Sequence, residues 1–84
     1  MPKYLDYHAE LPPMPAEVQQ QAADRLKAGR TNEFGTRGLN VYFGANGAAW
    51  CISEAPNIES VVQSHAALGI PLDASQVVEV QSLV

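Results

Sequence analysis

The sequence predicts an α+β domain with two helices on one face of a four-stranded antiparallel sheet. Three observations predict it. Four separate segments alternate apolar and polar residues at period two, the mark of a half-buried strand. Two segments between them repeat apolar residues three and four apart, the mark of a helix packed by one face. Proline and glycine stand at the joins, where they stop one element and let the next begin.

Lys3 to Leu11 alternates, with Leu5, Tyr7 and Ala9 on one side and Tyr4, Asp6, His8 and Glu10 on the other. Pro12-Pro13-Met14-Pro15 ends this strand, because proline donates nothing to a ladder. Pro15 suits the opening turn of a helix over Ala16 to Ala28, a run of good helix formers in which Met14, Val18, Ala22 and Leu26 form a narrow apolar stripe. Gly29 is placed to cap it. Arg30 to Gly38 reads as a polar loop and Leu39 to Phe43 as a second strand. Gly44-Ala45-Asn46-Gly47 is a hairpin signal, Asn-Gly accepting positive φ at both positions. Ala48 to Glu54 is the return strand.

Pro56 stops that strand, and Asn57 is a good N-cap for a second helix, with Glu59 favoured by the dipole in its first turn. Ile58, Val61, Val62 and His65 share its inner face. Gly69-Ile70-Pro71 stops it, and Gln76 to Leu83 is the last strand.

Strand–helix–strand–strand–helix–strand with right-handed crossovers gives the ferredoxin-like split βαβ arrangement, strand order 4-1-3-2. The whole chain, 1-84, reads as one such domain. The larger apolar residues Leu5, Tyr7, Leu39, Val41, Phe43, Trp50, Ile52, Val78 and Val80 are assigned to the helix-covered face. That leaves Tyr4, Asp6, His8, Tyr42, Cys51, Ser53, Val77 and Glu79 on the open face, where a second copy would cover them. A chain of 84 residues buries a modest fraction of its surface, so a homodimer is a natural expectation.

Charge and composition narrow the function classes. A net charge of −4 with five scattered Lys and Arg argues against nucleic acid as a partner. No apolar run reaches the ~18 residues of a membrane span. A lone cysteine points to a reducing, cytoplasmic setting. Neither a phosphate-binding glycine loop nor a nucleophile triad is visible, so the chain reads as a binding protein more than an enzyme. Ser60 and Ser64, the serines nearest a histidine, fall on expected surface positions of the helix. The absence of Cys-x-x-Cys and His-x-x-x-His spacing argues against a closed structural zinc site within one chain.

What chemistry the residues offer lies on the central strands. Asp6 and His8, two apart on a strand, point the same way, with Cys51 and Glu79 on the neighbouring strands. Imidazole, carboxylate and thiolate together suit a borderline transition metal. A polar stripe at a dimer interface is the plainer alternative. His65 faces the sheet from its helix. It reads either as a packed histidine bonded to a backbone carbonyl, or as the partner of Glu54 in an acid–base pair or second metal site. Cys51 reads either as a ligand or as a small buried hydrophobe. A different class of reading is a small-molecule binder or cofactor-free enzyme of the isomerase or monooxygenase kind. Its pocket would lie between two paired sheets, lined by Tyr4, Tyr42, His8 and Cys51.

Three stretches carry a family resemblance: Met1-Pro-Lys-Tyr-Leu-Asp6, Trp50-Cys-Ile-Ser-Glu-Ala-Pro-Asn57 with the helical His65, and Gly69-Ile-Pro-Leu-Asp-Ala-Ser-Gln-Val-Val-Glu-Val80. Together they resemble a family of small nickel-binding, ferredoxin-like proteins, most of whose members are described only as a domain of unknown function. The resemblance implies a dimeric, metal-binding protein with nickel as its metal. It also implies that His8, Cys51, Glu54 and His65 stand at the family's characteristic positions, with Asp6 beside His8.

Overall fold

The computed structural model describes residues 1–83. Strand β1 (Lys3–His8), helix α1 (Ala16–Ala28), strands β2 (Arg37–Phe43) and β3 (Ala49–Glu54), helix α2 (Ile58–Ala67) and strand β4 (Val77–Val80) follow in the expected order, with a 3₁₀ turn at Ala74–Gln76 before β4. The sheet runs β2-β3-β1-β4 with every pairing antiparallel, which is the ferredoxin-like βαββαβ arrangement.

The joins form for the reasons the sequence offers. Gly29 closes α1 in the left-handed region at φ 65°, its N–H bonding the carbonyls of Arg25 and Leu26. Asn57 caps α2 by accepting from the Ser60 N–H at 2.9 Å. The hairpin differs in detail from expectation. Gly44 N–H reaches the Ala48 carbonyl, Gly47 N–H reaches Gly44, and only Gly47, at φ 86°, is left-handed; Asn46 instead accepts from the Ala48 N–H through its side chain. The longer turn therefore needs one glycine rather than an Asn-Gly pair at positive φ.

Strand limits also differ. β1 ends at His8, three residues short of the expected Leu11. β2 begins at Arg37 with an irregularity between Gly38 and Asn40, and β4 covers only Val77–Val80 rather than Gln76 to Leu83. Alternation alone does not show where pairing partners run out.

The main correction concerns the faces. Tyr4, Asp6 and His8 are buried beneath the helices, as are Ala49, Ser53 and Val77, and Cys51 shares their parity. Leu5, Tyr7, Trp50, Ile52, Val78 and Val80 share the open side, against the expected assignment. In β2 the assignment holds. Val41 pairs with Cys51 and Phe43 with Ala49 on the covered side, while Tyr42 pairs with Trp50 on the open side. Period two says which residues share a face, not which face is covered. Size misled the choice: apart from Tyr4 the covered side of β1 and β3 takes small and polar residues, and Tyr7 and Trp50 lie outside.

The core is correspondingly small. Tyr4, Ala55, Val61, Leu72 and Val77 form it, with Ile58 and Val62 packed against it. α1 sits beside β2, where Leu26 approaches Gly38 so closely that a Cβ there would lie 2.7 Å from Leu26 Cδ2. The loop before β2 is tied to α2. Asn32 accepts from the N–H groups of Phe34 and Thr36 and donates to Ser64 Oγ, which donates to the Ser60 carbonyl. Ser60 and Ser64 are thus buried rather than on the helix surface.

Candidate metal centre

β1 and α2 bring three titratable side chains to one point. Asp6 and His8 alternate inward from β1 and are essentially removed from solvent, at 0% and 3% exposure. His65 reaches down from α2. One carboxylate oxygen, Asp6 Oδ2, lies 2.6 Å from His8 Nε2 and 3.0 Å from His65 Nε2. The two imidazole rings sit 5.1 Å apart, tilted by 31°. Cys51, directly across from Asp6 on β3, completes the group. One ligand atom from each of Asp6, His8, Cys51 and His65 lies within 4.8 Å of the other three.

The hydrogen bonds fix part of the protonation. His65 Nδ1 lies 2.8 Å from the Val61 carbonyl, one turn back on α2, and a carbonyl only accepts. The Nδ1 proton is therefore committed to the backbone. Nε2 is left to face Asp6, either carrying a second proton or offering its lone pair. A second-sphere bond of this kind from a histidine to a backbone carbonyl is common in metal-ligating imidazoles.

Electrostatics follow from the same contacts. Burial works against charge on His65, but the hydrogen bonds to Asp6 and to the Val61 carbonyl outweigh it, and its pKa lies above the ordinary imidazole value. Burial pushes the Cys51 thiol up to about 12, assisted by the negative Asp6 beside it. Such a thiol is not an activated nucleophile on its own, because the thiolate is the reactive form. The second carboxylate oxygen, Asp6 Oδ1, is buried with no hydrogen-bond partner among the described residues. A buried carboxylate oxygen left without a partner is costly, and a bound cation or an ordered water would satisfy it.

This chemistry fits a divalent transition metal. Two neutral imidazoles, one carboxylate and one thiolate supply four donors and two negative charges, which balance a 2+ ion. All four candidate donors come from one chain, although no Cys-x-x-Cys or His-x-x-x-His spacing marks them. Those motifs register ligands close in sequence, whereas these come from three elements.

The other two expected ligands are elsewhere. Glu54 pairs with Arg37 across β2 and β3, and that hydrogen bond holds its carboxyl below the usual range, so the expected Glu54–His65 pair does not form. Glu79 is exposed on β4, opposite Tyr4 and beyond the cover of the helices. The expected pocket lined by Tyr4, Tyr42, His8 and Cys51 is not assembled either, since Tyr42 points to the opposite side of the sheet from the other three. The signal that could have given the right face was His65 itself. A histidine in the middle of an inner helix face needs a polar partner beneath it, and the Asp6–His8 parity supplies two on the central strand, whereas the opposite parity offers only Glu54 at the strand end.

No protein-family model and no curated protein matches the chain. A solved structure does: the crystal structure of SCO4226 from Streptomyces coelicolor A3(2) aligns with a TM-score of 0.71 at 22% identity, over 98% of this chain and 99% of that one. At that identity the likeness establishes a shared fold.

Proposed function

We propose that the protein binds one divalent transition-metal ion per chain through Asp6, His8, Cys51 and His65. The observation that carries the reading is the meeting of two imidazole Nε2 atoms on one buried carboxylate, whose other oxygen has no partner among the described residues, with a thiol alongside. Nitrogen and sulfur donors favour later first-row metals over magnesium or calcium. Nickel is the ion that the sequence resemblance implies, and this donor set accepts it. The single cysteine as a ligand suits a reducing, cytoplasmic setting.

The second part of the proposal is a homodimer through the open sheet face. Leu5, Tyr7, Tyr42, Trp50, Ile52 and Val78 lie on that face, with Tyr42 and Val78 each 54% exposed. A contiguous apolar sheet surface of this kind marks an interaction site. An isologous partner would pair the aromatics of one copy with those of the other.

Calorimetric titration with Ni²⁺ and Zn²⁺ tests the metal reading. Saturation at one ion per chain, lost in the His65→Ala, Cys51→Ala double variant, is the expected result. Heats that are unchanged in that variant would rule the four-residue site out.

A further inference from the structure

Helix α1 buries none of its residues and touches the sheet beside β2. Between it and the end of α2 lies a cleft of about 280 Å³. Its walls are apolar, including Leu11, Met14, Val18, Ala22, Leu68 and Ile70. Val18 and Leu68 remain 44% and 63% exposed. The volume is nearly twice that of a 150 Å³ apolar cavity that holds benzene, so it accommodates about a dozen non-hydrogen atoms.

Two polar side chains break this lining, Gln21 and Arg25, one turn apart on α1 and therefore on one side of it. Among the described residues, Arg25 has no carboxylate within ion-pair distance, whereas Arg37 is engaged by Glu54. An apolar slot with one uncompensated guanidinium complements a ligand with an apolar body and an anionic head. The planar guanidinium meets a carboxylate with two parallel hydrogen bonds, which selects carboxylate over a neutral hydroxyl.

From this arrangement we infer that the cleft between α1 and the end of α2 binds a small amphipathic carboxylate. The apolar body lies against Met14, Val18 and Leu68, and the carboxylate lies on Arg25. None of the four metal donors lines the cleft, so this site and the metal centre stand or fall separately.

The test uses 4-phenylbutanoate, with 4-phenylbutanol as its uncharged counterpart, titrated into ¹⁵N-labelled protein while amide shifts are followed. Saturable shifts are expected at Val18, Ala22, Leu68 and Ile70, with the acid about fivefold tighter than the alcohol, the upper range of an exposed ion pair. Arg25→Gln, an exposed position on a helix surface, should remove the preference for the acid and leave the alcohol unaffected. Absence of saturable shifts at those four residues, equal affinity for acid and alcohol, or shifts confined to the open sheet face around Trp50 would each overturn the assignment.

Discussion

Asp6 and His65 meet across the interface between sheet and helix, with Oδ2 and Nε2 3.0 Å apart. This contact joins α2 to the central strand through a polar bond in an otherwise small apolar core. The first prediction concerns these two residues. Asp6→Asn keeps the shape but removes the charge that balances a divalent ion. Loss of an outer partner of a metal ligand costs 10- to 100-fold in affinity, and loss of a ligand should cost at least about that much. Competition with a chromophoric chelator measures it.

Cys51 gives the second prediction. Its thiol, at about 12, is protonated at neutral pH without metal. Metal binding must therefore displace a proton, and affinity should rise with pH through the neutral range. Calorimetry in buffers of different ionisation enthalpy counts the protons released. Cys51→Ser should lower the count and abolish the near-ultraviolet sulfur-to-metal absorption of the Ni²⁺ form.

The same shifts predict how the metal-free protein responds to pH. Cys51 has a folded pKa raised above that of the unfolded chain. Its contribution is complete below the ordinary thiol value of about 8.5 and is lost as pH rises towards about 12. His65 is also raised, so its contribution is complete below the ordinary imidazole value of about 6.5 and falls as pH climbs through its folded value. Urea denaturation at stepped pH should show stability declining in two stages. His65→Ala should flatten the lower stage and Cys51→Ala the upper.

The fold was largely legible because its cues are local. Pro56 with Asn57, Gly29 and the Gly44–Gly47 turn punctuate the chain without reference to anything distant. The site was legible only in part. Asp6, His8, Cys51 and His65 could each be named from residue type and parity, but their meeting depends on which face α2 covers. That is decided by packing between elements far apart in sequence. Tyr7 and Trp50, whose rings meet on the open side with centroids 5.5 Å apart and a 45° tilt, have the size of core residues and drew the choice the wrong way. Glu54 looked like a ligand because Arg37, its actual partner, is 17 positions earlier, in a stretch that read as loop.

The open face supplies a fourth prediction. Trp50→Glu places a charge at the centre of the Tyr7, Tyr42 and Trp50 surface without touching the core. Sedimentation analysis should show a dimer before the change and a monomer after it, with α2 and the metal stoichiometry intact.

Core economy supplies a fifth. Val61 is fully buried on the inner face of α2 and packs among Tyr4, Ala55, Leu72 and Val77. Val61→Ala should cost about 2 kcal/mol by lost burial and the cavity left behind. In so small a core that is a large share of a stability of roughly 5–15 kcal/mol, and thermal melting will show it.

The most direct test of the metal centre is X-ray absorption spectroscopy on the Ni²⁺-loaded protein. The account predicts one sulfur and two imidazole nitrogens in the first coordination sphere, with the sulfur lost in Cys51→Ser and one imidazole lost in His65→Ala. A shell of oxygen alone, or a nitrogen and sulfur shell that neither substitution alters, would contradict it.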